Sequence, residues 1–162
     1  MIKVTRELLR RANSCYGAER ENELIPVKGL TIREVAALKI PIDDKIFAIC
    51  YASNAPDNAL REFACWCARN ALNAERKAGR EPDPRSWTAV DVAERYARGE
   101  ASQAELEAAW DAAYEDAFGA ASNAASNAAY SAAFYAAYST PSDSARRAIH
   151  RRQLKKLVDL LS

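Results

Sequence analysis

Histidine occurs once in this chain, at His150. A Ser–His–Asp triad or a histidine-based metal site needs more than this one residue, set inside a basic run, can offer. Glycine is scarce as well, and the five scattered copies form neither a P-loop nor a dinucleotide fingerprint. The Glu-x-x-His ligand pattern of di-iron bundles is missing. The four cysteines (Cys15, Cys50, Cys65, Cys67) show no Cys-x-x-Cys spacing. On a helix, Cys65 and Cys67 point about 200° apart and cannot chelate one ion together. Reduced, buried thiols in a cytosolic protein are expected instead. Acid pairs such as Glu105/Asp111 and Glu115/Asp116 read as a solvated helix face rather than an acid–base couple. The sequence therefore predicts a protein that is not an enzyme and has no metal or cofactor.

Large aliphatic residues are also few. Leu, Ile, Val and Phe make up less than a fifth of the chain, a composition that can signal disorder. Disorder usually needs high net charge too, and here the formal charge is only +1. Three Trp and seven Tyr at helical spacings argue for a folded domain. The start of the chain lacks the apolar segment of a secretory signal, because Met1-Ile2-Lys3-Val4 leads straight into charged Thr5–Arg11. No apolar run resembles a membrane span, so no membrane partner is expected.

Alanine is what the chain has in abundance. From Ala108 to Ala137 alanine pairs recur every four residues, broken only at Asp116. The next position carries Trp110, Tyr114, Phe118, Ser122, Ser126, Tyr130, Phe134 and Tyr138. Alanine is the strongest helix former, and residues four apart share nearly one face. Four residues turn about 400°, so the alanine stripe advances roughly 40° per unit and winds around the helix. A winding stripe implies several neighbours, each against a different stretch. The run reads as a scaffold helix, with its aromatic column as the alternative docking groove.

Strand signals are almost absent, and an all-α fold is expected: an elongated bundle of six or seven helices around the long Ala-rich helix. Thr5 caps a first helix running to about Ser14. Thr31-Ile32-Arg33-Glu34 is a capping box, and Asp43 or Asp44 starts a further helix. Pro56-Asp57 opens a longer helix closed by Gly79, and Ser86 caps one ended by Gly99. Ser102-Gln103-Ala104-Glu105 is a second capping box that launches the alanine helix, which Pro141 stops. A last amphipathic helix turns Ile149, Leu154, Leu157, Val158 and Leu161 inward. The organisation is one helical domain over 1–162: short helices in 1–80, a proline-containing linker at 81–85, and the Ala-rich and C-terminal helices in 86–162. A continuous alanine helix of about 36 residues is roughly 54 Å long. That exceeds the diameter of about 40 Å of a compact domain of this size. An elongated bundle is expected, with Gly119 as the place for a bend.

Charge is segregated although the total nearly cancels. Glu100, Glu105, Glu107, Asp111, Glu115 and Asp116 fall in a stretch without Lys or Arg. Arg146, Arg147, Arg151, Arg152, Lys155 and Lys156 crowd the C-terminal helix. These arms either complement helix dipoles and face each other, or form an exposed patch that meets a partner. Within them, Glu100, Glu105, Glu107, Asp111, Glu115, Asp116, Arg147, Arg151, Arg152 and Lys155 are the candidate binding residues. Arg147, Arg151 and Lys155 share a stripe that can follow phosphates, although the near-neutral isoelectric point is unlike that of a dedicated nucleic-acid binder.

Phe63–Leu72, Pro82–Ser86 and Ala93–Ser102, followed by the alanine–aromatic run and Gln153…Leu157…Leu160-Leu161, resemble a loose family of alanine-rich helical proteins of bacteria and their phages. Some of that family are described as immunity proteins. The resemblance covers about residues 58–161, without the histidines that some relatives carry in the alanine region. It implies an accessory protein in the cytoplasm of a bacterial host cell. Such a protein neutralises another protein by stoichiometric contact, with a nuclease toxin or a CRISPR-type defence complex as open targets. A nucleic-acid accessory protein using the basic helix and a self-assembling bundle are the competing readings.

Overall fold

The computed structural model describes residues 1–112, 125–138 and 142–162. The protein is all-α, with nine helices among these residues where six or seven were expected. They are α1 (Arg6–Arg11), α2 (Ala18–Leu24), α3 (Ile32–Ala37), α4 (Ile42–Tyr51), α5 (Asp57–Lys77), α6 (Pro84–Ala97), α7 (Gln103–Ala112), α8 (Ala125–Tyr138) and α9 (Asp143–Leu161). The expected Gly119 bend and Pro141 stop lie outside the described residues, as do Glu115 and Asp116.

Where the chain carries its own capping chemistry, the helices start as the sequence predicts. The Thr5 side chain accepts from the Leu8 N–H. Thr31 and Glu34 close both halves of a capping box, at 3.3 Å and 2.7 Å. Ser102 and Glu105 do the same at 3.2 Å and 2.8 Å. Helix α6 departs from expectation. Asp83 rather than Ser86 caps it, accepting from the Arg85 N–H at 2.8 Å, with Pro84 preset for the first turn. Ser86 is buried inside the helix instead. Helix α2 is also unanticipated, and Gly17 stands at its start.

The expectation of no sheet is corrected by a two-stranded antiparallel ladder. β1 (Lys3–Val4) pairs with β2 (Leu30–Thr31), Val4 opposite Leu30. Two residues per strand are too few for an alternating pattern to register in sequence. The ladder depends on Gly29, whose φ is +73° and where a Cβ would sit 2.8 Å from the Val4 carbonyl oxygen.

Helix α5 divides the core in two. Its Leu60, Phe63, Ala64 and Cys67 join one apolar cluster with residues of α1, α3, α4, α8 and α9. Its Cys65, Ala68 and Leu72 join a second with Ala89, Val90 and Ala93 of α6 and Leu106 and Ala109 of α7. Cys65 and Cys67 thus face different clusters, as their spacing requires. All four thiols are free, and three are buried while Cys15 is exposed. Burial pushes the Cys65 thiol up to about 12, which keeps it protonated and unreactive.

The alanine face works as a packing surface. Ala132, Ala133, Ala136 and Ala137 are buried, and α8 packs against α4, α5 and α9. Among the described residues, no helix is long and apolar enough to cross a membrane.

Candidate protein-docking face

The acidic residues do not stand clear as a ridge. Glu100 pairs with Arg98 at 2.8 Å, and Glu105 with Arg95 at 2.9 Å. Arg95 lies in the last turn of α6 and Arg98 directly follows it, just before the acid-only stretch begins. Glu105 is held below the usual carboxylate range first by the Ser102 N–H, then by the Ser102 hydroxyl and Arg95. Glu107 accepts from the Gln103 amide at 3.1 Å, and Asp111 is exposed.

The basic helix is partly engaged in the same way. Arg146 binds Asp143 at 3.1 Å and lies 4.4 Å over the Tyr138 ring. Arg152 donates to the Asn70 side chain at 3.3 Å, and Lys156 pairs with Glu62 at 3.2 Å. Lys155 pairs with Asp159, one turn along. Arg147 and Arg151 are exposed and form no ion pair or hydrogen bond among the described residues. No ion pair joins the acidic arm to the basic helix among the described residues.

Beside this helix lies an aromatic surface that charge patterning does not reveal. Phe134, Tyr135 and Tyr138 are 39%, 47% and 46% exposed, on the side of α8 opposite its buried alanines. Phe134 and Tyr138, four apart, stack with centroids 4.1 Å apart. Tyr135 meets the Phe134 edge at 5.8 Å. Behind them the rings continue inward: Phe134 contacts Tyr130, which packs against Phe47 and Tyr51 of α4. The aromatics are therefore braced from below and capped by the Arg146 guanidinium. The four-residue repeat was the sequence signal for this face, but it did not say which column pointed outward.

His150 sits under this surface, buried and 6.5 Å from the Tyr138 ring. Burial lowers its pKa and Arg146 adds to this, while Asp43 of α4 opposes. The lowered pKa favours the neutral imidazole, and its Nε2 has no hydrogen-bond partner among the described residues. No cluster that could hold a metal ion occurs among the described residues.

Comparison with protein families, curated proteins and solved structures finds no match to this chain. The functional reading therefore rests on the chemistry of the face.

Proposed function

We propose that this protein is a protein-binding module that acts by stoichiometric contact, with the α8–α9 face as its contact surface. The observation that carries this reading is the braced, solvent-facing set of Phe134, Tyr135 and Tyr138, with the exposed Arg147 lining a cavity beside Tyr138 and the exposed Arg151 one turn further along α9. Aromatic residues and arginine dominate the energetics of protein interfaces, because they supply large contact area and directed hydrogen bonds. The two exposed guanidiniums on α9, one of them beside Tyr138, favour a partner with an acidic surface. An inhibitor of immunity or counter-defence type is the form of such a module that the sequence reading of residues 58–161 implies.

Nucleic acid is the weaker reading. Arg146, Arg152, Lys155 and Lys156 all have partners within the chain, which leaves Arg147 and Arg151 to track phosphates. Affinity purification from a nuclease-treated bacterial lysate, at two salt concentrations, separates the two. The proposal expects a stoichiometric protein that survives nuclease and is lost from an Arg147→Glu/Arg151→Glu variant. Recovery of nucleic acid alone, falling steeply with salt, would overturn it.

A further inference from the structure

A chamber of about 20 Å³ lies beneath the aromatic face, where α4, α8 and α9 meet. Ile46, Tyr130, Ala133 and the docking-face rings Phe134 and Tyr138 give it a largely apolar wall. Three polar side chains line it with them: Asp43 of α4, and His150 and Gln153 of α9. His150 and Gln153 are three residues apart, so they stand on one face of their helix.

Two of the three carry a buried polar atom with nothing to bond. His150 and Gln153 are 7% and 1% exposed. Neither His150 Nε2 nor Gln153 Oε1 has a hydrogen-bond partner among the described residues, so no direct bond joins them. The other end of the Gln153 amide is engaged: its Nε2 donates to the Ala133 carbonyl at 2.9 Å, which assigns the amide orientation. Asp43 forms neither an ion pair nor a hydrogen bond among the described residues. Buried polar groups are almost always satisfied, because leaving them unpaired away from bulk solvent is costly. Size decides what satisfies these. One water needs a chamber of about 10–15 Å³ with two to four polar partners, whereas benzene occupies a cavity of about 150 Å³. This chamber is large enough for the first and far too small for the second.

We infer that this chamber is the binding site of one structural water molecule, which links α9 to α4 and α8 beneath the aromatic face. The water donates its two hydrogens to Gln153 Oε1 and the Asp43 carboxylate, both of which only accept. His150 then makes the third bond as the donor, which requires the neutral imidazole to carry its proton on Nε2. Three bonds are the usual complement of a buried water. The relay runs from His150 through the water to Gln153, and from the Gln153 amide to the Ala133 carbonyl. A bridging water is enthalpically nearly as good as a direct hydrogen bond, so both orphaned atoms are satisfied without moving α9. Phe134 and Tyr138 wall the chamber, so the water supports their rings from below. Its binding does not depend on a protein docking above, and the two readings stand or fall separately.

The test uses the full chain at about pH 8, where an unperturbed imidazole is already neutral. A crystal structure that resolves ordered solvent is expected to show one water within hydrogen-bond distance of both His150 Nε2 and Gln153 Oε1. Long-range proton–nitrogen NMR is expected to place the His150 proton on Nε2, with cross-relaxation between the ring and a slowly exchanging water. His150→Phe keeps an aromatic ring and removes both nitrogens, and is expected to lose the water and its cross-relaxation. Asp43→Asn keeps an acceptor and is expected to retain both. If His150→Phe folds poorly, the two wild-type measurements decide alone. A chamber without the water, or a direct His150–Gln153 bond in its place, would overturn the inference. So would an imidazole protonated on Nδ1, or a water that persists unchanged in His150→Phe, since either would mean that His150 does not donate to it.

Discussion

Phe134 and Tyr138 stack on the solvent side of α8, their centroids 4.1 Å apart and their planes 20° apart. Each ring keeps about half of its surface in solvent, while the opposite side of the helix is closed by alanines. Truncating both to alanine is expected to cost about 2–4 kcal/mol of stability, from the half-buried ring area and the aromatic pair together. If this face is a binding hot spot, the same double variant loses at least about 2 kcal/mol of partner affinity. Urea denaturation and a binding titration separate the two effects.

Ala133 gives the opposite result. It is 2% exposed at the contact of α8 with its neighbours, and its carbonyl accepts from the buried Gln153 side chain at 2.9 Å. Ala133→Leu forces a larger side chain into that contact, at an expected cost of about 1–3 kcal/mol. An unchanged denaturation midpoint would mean that the alanine face is not a close-packing surface.

Gly29 and Gly79 distinguish strain from collision. Both have positive φ, +73° and +78°. A Cβ at Gly79 meets nothing within 4 Å, so Gly79→Ala is expected to cost about 1 kcal/mol of backbone strain alone. At Gly29 the Cβ collides with the Val4 carbonyl oxygen across the β1–β2 ladder. Gly29→Ala should cost clearly more, about 2–3 kcal/mol, and weaken amide-exchange protection at Val4.

His150 imposes a pH dependence of definite sign. Its folded pKa lies below its ordinary value of about 6.5, so below that pH the unfolded chain binds the extra proton first. Stability is then lost as pH falls from about 6.5 toward the lowered folded value. Asp43 on α4 moderates this loss, and Arg146 on α9 enhances it. Carboxylates held low by hydrogen bonds, such as Asp83 at about 2, contribute only at more acidic pH. Chemical denaturation between pH 7 and pH 5 should show a slope in the wild type that His150→Gln flattens.

Asp83 and Ser86 test the start of α6. Asp83→Ala removes the cap and is expected to cost about 1 kcal/mol, with a lower melting temperature. Ser86→Thr probes a buried interior position, where the added methyl overpacks the helix contact.

The parts of the fold legible in sequence are those whose cause is local. Thr5, Thr31 and Ser102 mark helix starts because their side chains bond the N–H groups three residues on. Gly79 and Gly99 mark ends because only glycine adopts their positive φ without strain. Cys65 and Cys67 separate because helical rotation leaves no alternative. What escaped depended on distant residues. The β1–β2 ladder joins segments more than two dozen residues apart. Gln153 and His150 are polar residues buried by what packs over α9, and Glu105 of α7 finds its cation, Arg95, in α6. The exposed column of aromatics was fixed by which side of α8 the core covers, a choice its near-symmetric four-residue repeat does not encode.

The central claim is that the Phe134–Tyr138 face binds a protein. Its most direct test is quantitative affinity purification from a nuclease-treated bacterial lysate. The baits are the wild type, Phe134→Ala/Tyr138→Ala, and Arg33→Ala as an exposed control remote in sequence. The account predicts one stoichiometric protein with the wild type and with Arg33→Ala, and its loss from the double variant while that variant keeps its helical content. Equal retention by the double variant, or recovery of nothing but further copies of the chain itself, would contradict it.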